Sequence, residues 1–214
     1  MIRLFTVAFL LSFSTVLSQK LHFDVLAKYS IQYKDDPFEI STYAISSNNN
    51  YFMRVLNNHD GHQTAEIYDI KGLIKHYYKI VDSKSESGEI ITEFKYTGSR
   101  SVLRSQKEIT HFDFQSISTK DDMETVIMTL YNNKAKTKVE NTMELKIIKS
   151  EVNFFPLFRF ICLHGYSLES ELNYPKAGLV TSGIAKKGYG RYTLKAFEEA
   201  DLEVMLPNNA SLIK

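Results

Sequence analysis

The chain has 214 residues and a mass of 24.7 kDa, with 43% hydrophobic and 24% charged side chains. Its 26 Lys and Arg stand against 25 Asp and Glu, so it lacks the basic excess that draws proteins to nucleic acid. That balance excludes a disordered tail, a collagen-like repeat and a multi-span membrane protein, and the length suits one generous domain.

Met1-Ile2-Arg3 opens with one positive charge, an uncharged run from Leu4 to Leu17 follows, and Ser18-Gln19-Lys20 turns polar. This is the pattern of a secretory signal peptide, with Val16 and Ser18 at the −3 and −1 positions. The run is interrupted by Ser12, Ser14 and Thr15 and is shorter than the ~20 apolar residues that span a bilayer. The expectation is a leader over 1–18, cleaved before Gln19, and an exported protein, periplasmic or secreted, with no stable membrane anchor. With Arg3 gone, basic and acidic residues would be equal in number. One β-rich domain is then expected over 19–214.

Along that domain the dominant period is two. Tyr29–Lys34, Ile90–Tyr96 and Met143–Ile147 alternate apolar with polar residues, the signature of half-buried antiparallel strand. Further strands are predicted over Phe38–Ile45, Tyr51–Leu56, Thr64–Asp69, Leu73–Val81, Ile109–Ile117, Met123–Tyr131, Ser167–Tyr174, Leu179–Ala185, Gly190–Phe197 and Asp201–Leu206. Between them lie turn-forming clusters such as Ser47-Asn48-Asn49-Asn50, Ser85-Glu86-Ser87-Gly88 and Lys186-Lys187-Gly188, whose Asn and Gly accept the positive φ of tight hairpins. Short helices are expected over Leu21–Lys28 and Phe154–Leu163; Pro156 argues against a central strand through the second. The predicted fold is mainly β: a single antiparallel meander curled into an open or half barrel, with one or two short helices. So many strands in one sheet must curl or close, and curling creates a concave face.

The motifs that resemble chemical sites have plainer readings. Lys187-Gly188-Tyr189-Gly190 matches half of an RNA-recognition octamer, but Arg191 and Leu194 replace the later stacking aromatics. His59-Asp60-Gly61-His62 holds three potential metal ligands, two His and one Asp, yet His22, His76, His111 and His164 supply no repeated ligand spacing. His164-Gly165-Tyr166-Ser167 is not the Gly-x-Ser-x-Gly elbow that exposes a nucleophile. The acid pairs Asp35-Asp36, Asp121-Asp122 and Glu198-Glu199 fall on turns or strand ends, where carboxylates are solvated. Asn209-Ala210-Ser211 is a glycosylation sequon. Cys162 is the only cysteine, so no internal disulfide forms, and its apolar surroundings read as core. No metal, cofactor, catalytic residue or nucleic-acid partner is expected.

The 14 Phe and 13 Tyr are either core filling or the lining of an apolar cavity. Tyr68, Phe94, Phe112, Phe158 and Phe160 are the candidate lining residues for a lipid or other hydrophobic ligand on the concave face. One slip of register would turn each strand's residues to the opposite side.

Thr64-Ala65-Glu66-Ile67-Tyr68-Asp69-Ile70-Lys71-Gly72-Leu73-Ile74, a strand ending in Tyr-Asp with a tight turn into the next strand, resembles the periplasmic lipoprotein-carrier (LolA/LolB-like) family. The closing Tyr192-Thr193-Leu194 and Asp201-Leu202-Glu203-Val204 are compatible with it. The chain is also similar to uncharacterised exported proteins of Bacteroidota-type bacteria. The carrier resemblance implies an unclosed antiparallel barrel lined with apolar side chains, lidded by short helices, and binding acyl chains. The expected function is that of a non-enzymatic exported domain binding a hydrophobic ligand. The alternatives are a protein-interaction or envelope-structural module with a solid core, or a secreted hydrolase.

Overall fold

A computed structural model describes residues 18–33, 36–58, 61–102, 111–133, 135–162, 174–188 and 190–207. The elements in chain order are β1 (Gln19–Tyr33), β2 (Asp36–Ile45), β3 (Asn48–Asn57), β4 (Gln63–Asp69), β5 (Ile74–Lys84), β6 (Ile90–Ser101), β7 (His111–Lys120), β8 (Met123–Tyr131), β9 (Val139–Lys149), α1 (Phe155–Cys162), β10 (Gly178–Ala185) and β11 (Arg191–Leu206).

All the described strands join one eleven-stranded sheet in the order β6-β5-β4-β3-β2-β1-β11-β10-β9-β8-β7, and every pairing between them is antiparallel. The expected open antiparallel meander is therefore present, in a particular form. The first and last strands meet in the middle of the sheet, and the opening lies between β6 and β7, which follow one another in the chain.

The alternation that identifies the strands also builds the core. In β9 Met143, Leu145 and Ile147 are buried while Glu144 and Lys146 are exposed. In β1 every second residue from Leu21 to Ile31 is buried, so the helix expected over Leu21–Lys28 is not formed. Period-two burial on a strand paired on both sides outweighs the weak helical spacing of Leu21, Val25 and Lys28. The two strands expected over Gly190–Phe197 and Asp201–Leu206 are one continuous strand, β11. Glu198 and Glu199 are exposed rungs of its ladder with β1 rather than a turn, and the irregularity falls just beyond them, opposite the step from Phe23 to Val25. The predicted strand Ser167–Tyr174 falls almost wholly outside the described residues, as do the leader up to Leu17, His59 and Asp60, His164 through Ser167, and the sequon.

The apolar residues form two clusters. The larger gathers α1 with residues from β1 through β4 and from β7 through β11. The smaller contains Leu21, Phe23, Met53, Ala65, Ile67, Tyr78, Val204 and Leu206. Adjacent strand residues point to opposite faces, and the buried neighbours Phe52 and Met53 belong to different clusters, as do Tyr68 and Ile67. The β3–β4 part of the sheet is thus covered on both faces: by α1 on one, and by the ends of β1 and β11 on the other. β2 pairs with β1 only from Val25 onward, leaving Gln19–Phe23 and Leu202–Leu206 as a two-stranded extension. The irregularity at Asp24 re-aims this ribbon. The Asp24 carboxylate accepts bonds from the Ser46 amide (2.7 Å) and hydroxyl (2.5 Å), pinning the bend to the β2–β3 turn. At the ribbon's end the Tyr78 hydroxyl donates to the Met205 carbonyl at 3.0 Å.

Candidate functional site

The concave face is occupied by α1. Asn153 sets its start: the Asn153 side-chain oxygen accepts from the Phe155 amide at 3.0 Å, and its amide nitrogen donates to the Tyr174 carbonyl at 2.8 Å. Pro156 lies in the first turn, where its missing N–H costs no helical bond. All eight helical residues are buried, so the helix lies within the core rather than on its surface.

Its contacts with the sheet are mainly between rings. Phe160 stacks on Phe52 with centroids 4.6 Å apart and meets Tyr68 edge-on at 4.8 Å. Phe158 lies 6.0 Å from Tyr29 and 5.9 Å from Tyr192. Phe155 meets Phe114 at 5.2 Å and Phe112 at 6.2 Å. Gly183 permits the approach of Phe158, since a Cβ there would lie 3.1 Å from the tip of the Phe158 ring. The polar tie at the other end is Arg54, whose Nη2 donates to the Phe160 carbonyl at 2.7 Å while its guanidinium lies 4.4 Å from the Phe160 ring centroid. That bond satisfies a last-turn carbonyl that the helix leaves open. Beside it the Tyr68 hydroxyl (2.9 Å) and Lys75 ammonium (3.1 Å) both donate to Glu66, making a polar rim to the aromatic surface.

Burial shapes the chemistry of this region. It pushes the Cys162 thiol and the Tyr29 phenol well above their ordinary ranges, which leaves Cys162 protonated and inert. It pulls the Arg159 guanidinium down to about 10, and that group lies 5.2 Å from the Phe112 ring centroid.

Of the five predicted lining residues, Tyr68, Phe112, Phe158 and Phe160 come together in the α1 cluster. Phe94 packs against the second cluster, beyond the β3–β4 layer. Residues that the sequence reading did not select are Phe52, Tyr29, Tyr192 and Arg54. A signal for Arg54 was present, namely a lone charge inside the apolar run Tyr51–Leu56.

An open cleft of about 390 Å³ lies near the β7–β8 turn, lined in part by Asp121, Asp122, Glu124, Lys149, Tyr174 and Lys176. Hydrogen bonds from Lys176 and Tyr174 hold the Glu124 carboxyl down at about 2. No group of three His, Cys, Asp or Glu among the described residues is arranged to hold a metal ion. No protein-family model, curated protein or solved structure matches this chain.

Proposed function

We propose that the protein binds an acyl chain or similar apolar ligand on the concave face of its sheet, with α1 as the element the ligand displaces. The observation that carries this reading is a short helix, buried along its whole length, held to the sheet mainly by aromatic contacts. Apolar contacts are non-directional, so a hydrocarbon can replace the helix's rings without disturbing the sheet's hydrogen bonds. The hydrogen bonds that break as the helix leaves include that from Arg54 to the Phe160 carbonyl and those at its start, from the Asn153 side chain to the Tyr174 carbonyl and from the Phe154 amide to the Gly178 carbonyl. The resemblance to lipoprotein carriers points the same way, as does the expectation of export through a leader ending before Gln19.

Native mass spectrometry of the purified protein, lipid extraction, and titration with a fluorescently labelled palmitate test the proposal. Co-purifying lipid or saturable probe binding supports it; bare protein with no probe binding removes it. The tight ring contacts favour a second reading, an interaction or envelope-structural module whose core stays filled by α1. Under that reading the probe does not bind.

A further inference from the structure

The two edges of the sheet are built differently. β7 carries an irregularity between Ser116 and Ser118, where Ile117 has no partner on β8, and it ends at Lys120. A bulge of this kind twists an edge away from pairing. The outer half of β6 has no such device. From Ile90 to Tyr96 it pairs without interruption on β5, its irregularity coming only near Gly98. No described strand pairs its other side. It contains no proline, and Ile90 and Ile91 are 70% and 47% exposed.

We propose that β6 pairs with β6 of a second copy, antiparallel, about a two-fold axis through Phe94. The register follows from the charges. Glu93 and Lys95 are both more than half exposed and lie 3.3 Å apart within one chain. Centring the pair on Phe94 sets Glu93 opposite the second copy's Lys95, twice. It also sets Phe94 against its own symmetry mate and Thr92 opposite Tyr96. Centring on Glu93 or on Lys95 places like charges face to face, which is destabilising in directly opposed pairs. Registers displaced by one residue set the Phe94–Tyr96 side against the Glu93–Lys95 side. The isologous contact closes on itself and gives a dimer rather than a fibre. One added strand pair buries less than the roughly 1,200 Å² of a stable interface, so the dimer is weak and concentration-dependent.

Sedimentation equilibrium from about 1 µM to about 1 mM tests it, with circular dichroism confirming that each variant is folded. The native chain passes from monomer to dimer across this range. Glu93→Lys alone and Lys95→Glu alone each weaken dimerisation about tenfold, because each replaces two opposite-charge pairs with two like-charge pairs. Mixing the two single variants restores a dimer, since one copy then presents two cations to two anions, and the double exchange E93K/K95E restores self-pairing. A chain that stays monomeric throughout, a dimer indifferent to these exchanges, or growth beyond the dimer each overturns the proposal.

Discussion

Replacing Phe160 with alanine separates the packing role of α1 from its role as a displaceable element. Phe160 is fully buried, stacked on Phe52 and edge-on to Tyr68, with Arg54 over its ring. A fully buried Phe→Ala change costs about 3–5 kcal/mol. Each aromatic contact accounts for about 0.5–1.5 kcal/mol of that loss. With a urea m-value of about 2 kcal/mol per molar, a loss of about 4 kcal/mol lowers the unfolding midpoint by about 2 M. If α1 covers the ligand site, the same change favours the uncovered state, and apparent affinity rises with the population of that state. Titration with labelled palmitate should show F160A binding at least about tenfold tighter than the native protein, a difference of about 1.4 kcal/mol or more. A midpoint shift corresponding to less than about 1 kcal/mol would show that Phe160 is not packed as described. A full loss of stability with unchanged or weaker palmitate binding would refute the displacement argument.

Other consequences follow from particular residues. Burial lowers the His76 imidazole below its ordinary value, and neither ring nitrogen has a hydrogen-bond partner among the described residues. The unfolded chain therefore takes up the proton first as pH falls below about 6.5. Melts between pH 7 and 5 should show stability declining on acidification by at most about 1.4 kcal/mol per pH unit from this group, and His76→Phe should remove that component; an unchanged slope would exclude His76 as its source. Glu124 is held at about 2, so its contribution is present above its unfolded value near 4.5 and is lost as pH falls toward 2. Glu124→Gln should cost about 1–3 kcal/mol at pH 7, with the difference vanishing near pH 2; a pH-independent cost would contradict the ion-pair account. Gly190 has a φ of 83°, and a Cβ there would lie 2.1 Å from the Gln32 carbonyl oxygen. Gly190→Ala should destabilise by at least about 1–3 kcal/mol in chemical unfolding, and a neutral outcome would show that the β10–β11 turn does not press on β1.

Local alternation was readable wherever a strand buries one face. β8 spans the predicted Met123–Tyr131, and α1 falls inside the predicted Phe154–Leu163 because Pro156 marks a helix start rather than a strand. Burial that breaks the period-two rule, and the meeting of distant segments, leave no such local signal. Phe52-Met53 and Ile67-Tyr68 are consecutive apolar residues buried on opposite faces, and nothing local shows that a second layer covers them. That layer is the β1–β11 ribbon, whose pairing joins Leu21 to Val204 across almost the whole chain. The placement of Phe94 depends on the same long-range geometry. Its strand was identified correctly, but its face is decided by the register of β5 and β6 and by what the ribbon covers.

Hydrogen exchange across Phe155–Cys162, with and without saturating labelled palmitate, reports whether ligand displaces the helix. Displacement speeds exchange in α1 while the amides of β1, β9 and β11 keep their protection. Bound ligand with α1 unchanged or more protected would contradict it.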